Sequence, residues 1–341
     1  MTHELKKIIQ SYNSARQKNL GAVLATVVAL DGSSYRRPGV RMLIFENGSM
    51  VGAVSGGCVE KEVLRQAEQV FKTNIPKIMT YDGRYRLGCE GILYILIEPF
   101  RPNTLFLEAF DKAIEDRAAF KVISLFKKAD GSDEAFGSVF QFGDQKIPLR
   151  KGNKVHLDKP KADILCFEEL MAPCLRLIIF GAEHDAVQLC SFASLNGWEV
   201  TIIATPSEEK SVRNFPGAQD LVSKTAEELD LNFIDPQTAV ILMSHSYVKD
   251  LKYLIALKDQ KPFYLGMLGP YKRREKLFNE FLDHCPEVSD SFLDRIHGPA
   301  GLNIGAETPQ EIAIAILSEI LSVKRQKEPM MLKDKEGGIH N

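Results

Sequence analysis

The alternation of apolar and polar positions divides the chain into two parts with different patterns. In the first part, short apolar runs such as 22–29, 42–45 and 92–97 are separated by glycine-containing turns, with occasional segments of helical period. After Pro173, apolar runs alternate regularly with amphipathic helical segments, which is typical of a parallel sheet covered on both faces. The pattern therefore predicts an α/β fold class: an N-terminal mixed α+β domain followed by a C-terminal Rossmann-like domain with a parallel sheet.

The strongest periodic signals lie in the second part. Thr308 and Glu311 have the spacing of a capping box, and Pro309 stands at the first helical position, so a helix is predicted to begin there. The elements predicted after Pro173 are strands at 175–180, 199–204, 238–243 and 264–268, and helices at 185–196, 248–258, 271–283 and 309–323.

A change in composition places the domain junction near Pro173. Residues 143–172 are rich in Lys and Pro and only weakly periodic, which indicates a linker-like segment. We therefore predict an N-terminal domain over 1–172, a C-terminal domain over 173–325 and a loose, charged tail over 326–341.

Composition limits the class of protein. The chain has 341 residues, a formal net charge of −2 and 45% hydrophobic residues, which predicts a globular protein with no basic field for nucleic acid or an anionic membrane. No apolar run has the length of a membrane span, and the N-terminus lacks a signal-peptide core. Six Cys residues without a CxxC pair fit free thiols in a reducing compartment, so a cytoplasmic location is expected.

The most reactive candidate site residue is a cysteine in a glycine-containing turn. Ser55, Gly56, Gly57 and Cys58 stand between a predicted hairpin and a predicted helix. A thiol at a helix N-terminus has a lowered pKa and is available as a nucleophile or soft metal ligand. The alternative for an isolated residue of this kind is a buried structural cysteine beside a turn.

Cations and a second thiol lie near this turn in sequence. Arg36, Arg37 and Arg41 surround a glycine-rich loop and are suited to hold a phosphate or a partner carboxylate. Cys89 lies between glycines before a predicted strand. Together with Cys58, these side chains would suit a phosphate-bearing cofactor that contains a soft metal.

The turn at Gly181 matches a dinucleotide fingerprint only in part. It follows a predicted strand and precedes a helix, but the position of the second glycine is Glu183, whose carboxylate would repel a diphosphate. The next strand ends at Thr205, without the acidic residue that holds a ribose hydroxyl. NAD(P) binding is therefore doubtful.

Three histidines are predicted at strand ends. His184, His245 and His297 lie where the loops of a parallel sheet converge on its crevice, so they are candidates for cofactor binding. They could ligate a metal together, but separately hydrogen-bonded imidazoles are the favoured alternative.

Several of these segments together resemble the XdhC/CoxI family of molybdenum-hydroxylase maturation factors. The resemblance covers about residues 15–100 and 172–323 and includes the Ser55–Glu60 turn, the Gly181–Asp185 turn and the long string Arg295–Ala306. The chain departs from the family pattern at Glu183, where glycine is usual, and at Glu90, which follows Cys89 in place of glycine.

The resemblance implies a carrier rather than a turnover enzyme. It implies binding of the molybdenum cofactor, sulfuration through a cysteine desulfurase, and insertion into apo-xanthine dehydrogenase or a related molybdenum hydroxylase of purine catabolism. On this basis Cys58 is a molybdenum or sulfur contact. A homodimer, or another homo-oligomer, is expected, and we also expect the two domains to hold the cofactor together.

Two alternatives remain open at this point. An NAD(P)-linked oxidoreductase would use the C-terminal domain and would bind NADH tightly with turnover. A non-catalytic structural subunit of xanthine dehydrogenase would co-purify with that enzyme and bind no cofactor.

Overall fold

A computed structural model describes residues 1–34, 37–55, 57, 59–85, 91–150 and 163–336 of the chain. It divides into two compact units, and the boundary between them lies at Pro173 and Cys174.

The first unit combines helices with antiparallel strands. In chain order its helices and strands are α1 (Thr2–Arg16), β1 (Ala22–Asp31), β2 (Arg41–Phe45), β3 (Met50–Gly52), α2 (Glu60–Thr73), β4 (Lys77–Asp82), β5 (Ile92–Pro99), α3 (Thr104–Glu115), β6 (Phe120–Phe126), β7 (Gly131–Ser132), β8 (Gly137–Phe142), β9 (Gln145–Pro148) and β10 (Leu165–Met171).

These strands form two sheets. The larger has the order β3-β2-β1-β5-β4-β7 and the smaller the order β10-β6-β8-β9, and every neighbouring pair is antiparallel. Strand β1 is a nearly continuous apolar run because both of its faces are buried. Its alternate residues enter different cores: Leu24 packs in the core that contains α1 and α3, whereas Val23 packs in the core that contains α2.

The hairpin predicted before the glycine turn is present. Strands β2 and β3 pair in antiparallel register, with Leu43 opposite Val51. Gly48 has a φ of +82°, and the Asn47 side chain accepts hydrogen bonds from the amide and hydroxyl of Ser49. This is the local turn chemistry expected of an Asn-Gly pair.

The predicted linker differs from the structure. Residues 145–148 and 165–171 form β9 and β10, so the linker interpretation of 143–172 is wrong for these strands. The sequence signal is weak because β10 is an edge strand with polar residues such as Glu168 and much of its surface exposed. Residues 151–162 lie outside the described part of the chain.

The second unit alternates strands with helices. In chain order its elements are β11 (Arg176–Phe180), α4 (His184–Leu195), β12 (Glu199–Ala204), β13 (Asp220–Ser223), β14 (Thr238–Leu242), α5 (Tyr247–Leu257), β15 (Tyr264–Met267), α6 (Tyr271–His284), α7 (Asp290–Leu293), β16 (Ile296–His297) and α8 (Pro309–Arg325).

The six strands of this unit are parallel and have the order β13-β12-β11-β14-β15-β16. This is the order of a doubly wound dinucleotide-binding sheet. One face, which includes Ile179, packs against α4 and α8, and the other, which includes Ile178, packs against α5 and α6. The predicted fold class, a mixed α+β domain followed by a Rossmann-like domain with a parallel sheet, is confirmed.

The boundaries of α8 follow its sequence signals. The Thr308 hydroxyl accepts from the Glu311 amide, and the Glu311 carboxylate accepts from the Thr308 amide, which completes the predicted capping box. No helix in the described ranges combines the length and apolarity needed to cross a bilayer.

Candidate functional site

The glycine turn before α2 is organised by Ser55 and Glu60. The Glu60 carboxylate accepts hydrogen bonds from the Ser55 amide at 2.8 Å and from the Ser55 hydroxyl at 2.7 Å. The Ser55 hydroxyl oxygen in turn accepts from the amides of Gly57 and Val59. The N-cap of α2 is Val59, which makes no side-chain cap, so these hydrogen bonds order the turn before the helix. Ser55 therefore fixes the backbone on both sides of position 58.

Glu60 is a buried carboxylate that remains in its ionised form. Burial raises its pKa, but the hydrogen bonds from Ser55 and from the amides at the start of α2 outweigh burial, so the pKa lies below the ordinary 4.5. Gly57 has a φ of +119°, and among the described residues no atom lies within 4 Å of the position that a Cβ would take. Gly56 and Cys58 lie outside the described residues, so their predicted roles stay predictions.

Of the three predicted cations, Arg41 has an internal partner. Its guanidinium lies 2.8 Å from the Glu169 carboxylate, and the two side chains are only 4% and 9% exposed. It also donates to the Gly39 carbonyl oxygen at 2.8 Å. Because Arg41 is neutralised and enclosed, the structure supports a structural role for it rather than phosphate binding.

Of the other predicted residues in the first unit, the structure describes Arg37, which is exposed on the loop before β2. Arg36 and Cys89 lie outside the described residues, and their predicted part in cofactor binding is still a prediction.

The Gly181 turn has the backbone of a strand-to-helix turn. Gly181 has a φ of +137°, and a side chain there would meet the Met243 carbonyl oxygen at 2.4 Å, so the position requires glycine. Glu183 is exposed at the N-cap of α4, and His184 is the exposed first residue of that helix. The structure thus places the Glu183 carboxylate at the helix end where a pyrophosphate would be bound in a dinucleotide site.

Side chains from the segment after β12 and from α5 interact with one another at the carboxyl end of β12. Glu208 accepts from the Thr205 amide at 3.0 Å and pairs with Lys249 at 2.6 Å. The Lys249 ammonium also contacts the Thr205 hydroxyl at 3.2 Å. The carboxylate near this strand end is therefore held by a lysine and an amide, which leaves it poorly placed to hold a ribose.

The three predicted histidines have separate surroundings. His245, with a φ of +56°, lies 3.2 Å from the Asp185 carboxylate. His297 lies 3.3 Å from Glu319 and stacks on Tyr264 with ring centroids 4.5 Å apart. Within the described ranges no group of three or more His, Cys, Asp or Glu side chains could hold a metal. The structure supports separately bonded imidazoles for His245 and His297.

Sequence reasoning missed the residue that links His297 to the rest of the unit. Glu319, on α8, accepts hydrogen bonds from the Tyr264 hydroxyl and from the Gly301 amide, the latter at 2.8 Å. Burial raises its pKa, but hydrogen bonds from His297, Tyr264 and Gly301 outweigh burial and hold the pKa below 4.5. A glutamate in an amphipathic helix gave no signal of this role.

The loop that Glu319 holds forms one wall of a cleft of about 550 Å³. The cleft lies beyond the carboxyl ends of β15 and β16, next to α8. Its lining residues are apolar, glycine or amide residues: Leu268, Gly269, Pro270, Pro299, Ala300, Gly301, Leu302, Asn303, Ile304, Gly305, Ala306, Ile312 and Ala315. A concave, largely apolar site of this size at such a sheet edge is typical of ligand binding.

Both units match known family models. Residues 15–82 match a model described as the XdhC and CoxI family, and residues 177–320 match one described as the XdhC Rossmann domain. The matches cover the glycine turn of the first unit and all six strands of the second.

Individual relatives match over nearly the whole chain. A probable xanthine dehydrogenase subunit from Bacillus subtilis is 28% identical, over 89% of this chain and 94% of its own. A molybdenum cofactor insertion chaperone, PaoD, from Escherichia coli is 26% identical over 96% of this chain and 91% of its own. A crystal structure described as a xanthine dehydrogenase from Bacillus halodurans superimposes with a TM-score of 0.77 and 25% identity, over 96% of this chain and 98% of the other. The resemblance inferred from the sequence is confirmed: models of the XdhC and CoxI family and of the XdhC Rossmann domain match the two units of this chain.

Proposed function

We propose that this protein binds the molybdenum cofactor and supports its sulfuration and insertion into a xanthine dehydrogenase or a related molybdenum hydroxylase. The observation that carries the proposal is the similarity to the molybdenum cofactor insertion chaperone, which extends over 96% of this chain and 91% of that protein. Both units are therefore shared, and so is the fold that would bind the cargo. The protein acts as a carrier, with a cysteine desulfurase as the source of sulfur.

The hydrogen bonds around position 58 support the binding of molybdenum or sulfur by Cys58. Ser55 and Glu60 fix the backbone before and after Cys58 through four hydrogen bonds. A thiolate held at the start of a helix is a good ligand for molybdenum or an acceptor for sulfur. We assign this contact to Cys58. Ser55 and Glu60 position it.

Loading with the cofactor tests the proposal. The full-length protein is titrated anaerobically with purified molybdenum cofactor, separated from free cofactor by gel filtration, and its molybdenum content is measured. Wild type is expected to retain near-stoichiometric molybdenum, and Cys58→Ala to lose most of it. Cys166→Ala is the matched control because Cys166 is an exposed free thiol of the same unit. Absence of retained molybdenum in wild type would refute the function, and equal content in wild type and Cys58→Ala would refute the role of Cys58.

Sulfuration and insertion of the cofactor are tested with a client enzyme. Loaded protein is incubated with apo-xanthine dehydrogenase, with and without a cysteine desulfurase and cysteine. If sulfuration takes place on this protein, preincubation with the desulfurase should raise the activity of the reconstituted enzyme several-fold, and removal of the desulfurase before the client is added should not abolish the gain.

A second candidate is a non-catalytic subunit of xanthine dehydrogenase, which is favoured by the description of the Bacillus subtilis relative. Such a subunit would remain bound to the active enzyme in gel filtration and would retain no molybdenum alone. A chaperone would dissociate after insertion.

A further inference from the structure

A second cleft of the second unit, of about 400 Å³, lies at the amino ends of β15 and β16. Its lining comes from the turn after α5, from the chain between the end of α6 and the start of α7, and from Arg295 just before β16. The Gly181 turn follows the carboxyl end of β11, and all six strands are parallel, so the two places lie at opposite edges of the sheet. The cleft is therefore separate from the crevice in which doubly wound sheets bind nucleotides.

Three cations line this cleft: Lys258, Lys261 and Arg295. Among the residues that the structure describes, none of their side chains has an ion pair or a hydrogen bond. Elsewhere in the same unit a lysine does have such a partner, since Lys249 pairs with Glu208 at 2.6 Å. The positive charge of the cleft is thus not neutralised by a contact within the described part of the chain, which favours an anion as its ligand.

The ends of two helices account for part of this charge. Lys258 directly follows α5 and His284 ends α6, and a cation at such a position interacts favourably with the carboxyl end of a helix whether or not a ligand binds. Lys261 lies in the turn before β15, and Arg295 lies just before β16. Lys261 and Arg295 are therefore the cations that point to a ligand.

Arg295 is a half-buried arginine whose guanidinium lacks an acceptor. Its Nε is buried and has no hydrogen-bond partner in the described ranges. Its backbone is held on both sides, because its amide donates to the Phe292 carbonyl oxygen at 3.2 Å and its carbonyl oxygen accepts from the Leu265 amide at 3.1 Å. A buried donor without an acceptor is unfavourable, and a guanidinium matches the oxygens of a phosphate with paired hydrogen bonds. Arg295 is thus suited to bind an oxyanion.

The other polar side chains of the lining suit a ligand that carries more than a phosphate. The hydroxyls of Ser289 and Ser291 lie 3.1 Å apart and supply donors for an oxyanion. The Asp259 carboxylate and the Gln260 amide oxygen need donors, which a bare phosphate lacks and a ligand hydroxyl group supplies. With Glu287 the lining holds two carboxylates against three cations, so the cleft still favours an anion.

We propose that this cleft binds a small phosphate monoester whose carbon skeleton carries hydroxyl groups, a ligand of the sugar phosphate class. Arg295, Lys261 and Lys258 bind the phosphate together with the two serine hydroxyls, and Asp259 and Gln260 accept hydrogen bonds from the hydroxyl groups. The volume of about 400 Å³ is in the range of small-molecule sites. The site lies within the second unit and involves neither Cys58 nor molybdenum, so it is independent of the proposed function.

Ribose 5-phosphate is the probe, and inorganic phosphate and ribose separate its two parts. Each is titrated into the full-length protein in a calorimeter at low ionic strength. We expect saturable 1:1 binding of ribose 5-phosphate, binding of inorganic phosphate that is at least about threefold weaker, and no binding of ribose. Added salt should weaken the binding of ribose 5-phosphate, because ions screen the attraction between the cations and the phosphate.

Substitution of single cations locates the binding. Affinity for ribose 5-phosphate should be at least about tenfold weaker in Arg295→Gln and about three- to tenfold weaker in Lys261→Gln. Lys210→Gln is the matched control and should bind as wild type does, since Lys210 is an exposed lysine of the same unit in the segment after the carboxyl end of β12. Thermal melting followed by circular dichroism checks that Arg295→Gln folds, and the exposed Lys261 gives the decisive comparison if it does not.

The outcomes do not depend on whether the protein retains molybdenum. Saturable binding of ribose 5-phosphate that Lys261→Gln weakens and Lys210→Gln leaves unchanged supports the site. No saturable binding by wild type, or equal losses in Lys261→Gln and Lys210→Gln, overturns it. Inorganic phosphate that binds as tightly as ribose 5-phosphate overturns the assignment of Asp259 and Gln260 to ligand hydroxyl groups.

Discussion

Arg41 at the start of β2 and Glu169 in β10 are separated by more than a hundred residues and form an enclosed ion pair with a 2.8 Å contact. They join the larger sheet of the first unit to the edge of the smaller one. Gly39 lies beside the pair, and a side chain at that position would meet the Glu169 carboxylate at 2.9 Å. An arginine that reads as a cofactor contact in the sequence is thus part of the framework that supports the loop before β2.

Removal of one partner should leave an uncompensated buried charge. Arg41→Ala is expected to lower the free energy of unfolding of the first unit by about 3–5 kcal/mol. The measurement is urea denaturation of the full chain, followed by circular dichroism. Arg65→Ala is the control, since Arg65 pairs with Glu62 at 2.6 Å but is 67% exposed, and it should change stability far less. Equal effects of the two substitutions would contradict the assignment.

Replacement of both Arg41 and Glu169 provides a second comparison of stability. If the cost of Arg41→Ala comes from an isolated Glu169 carboxylate, the double variant Arg41→Met with Glu169→Leu should be more stable than either single variant. A double variant that is less stable than both singles would contradict the isolated carboxylate as the cause of the cost.

Ser55 should contribute to stability by ordering the turn before α2. Ser55→Ala removes one hydrogen bond to Glu60 and the acceptor for the Gly57 and Val59 amides, so the first unit should lose about 1–3 kcal/mol of unfolding free energy. Ser49→Ala, which removes an exposed hydroxyl contact to Asn47, is the control. Ser55→Ala should also reduce molybdenum retention, because the turn around Cys58 is no longer fixed. Unchanged stability and retention would contradict both roles.

The acid dependence of stability tests the state of Glu60. The folded pKa of Glu60 lies below 4.5, so as the pH falls below about 4.5 the unfolded chain takes up this proton first and stability decreases until the folded carboxyl is also protonated. Glu60→Gln removes this contribution. Its stability should therefore fall less steeply than that of wild type below pH 4.5, and the curves should run parallel above that pH. Identical acid slopes would contradict an ionised, hydrogen-bonded Glu60.

Much of the fold is predictable because buried positions recur in the sequence as apolar residues with the spacing of a strand or a helix. Strand β1 is buried on both faces and reads as one apolar run, and α8 carries its capping box in Thr308 and Glu311. Strand β13 escapes prediction because it has only four residues, none fully buried, at the edge of its sheet. Apolar pattern marks central strands and is weak at edges.

The candidate site is less predictable because partners come from distant positions. Local sequence places Ser55 and Gly181 correctly in turns that open onto helices. It could not pair Arg41 with Glu169, nor Glu319 with Tyr264 and His297. Those contacts depend on which strand and helix faces meet, and each isolated charge reads equally well as surface or site.

The second unit should bind NADH weakly or not at all. The α4 N-terminus carries Glu183, whose carboxylate repels a pyrophosphate, and Glu208 is held by Lys249 near the strand end where a ribose would bind. Calorimetry on wild type should therefore detect no binding tighter than about 100 µM. Glu183→Gly should improve affinity at least about fivefold, because glycine is tolerated at an N-cap. Glu287→Gly is the control, since Glu287 lines a separate cleft with His284 and Arg295. Micromolar binding by wild type, or equal gains in both variants, would contradict the electrostatic argument and favour an NAD(P)-linked activity.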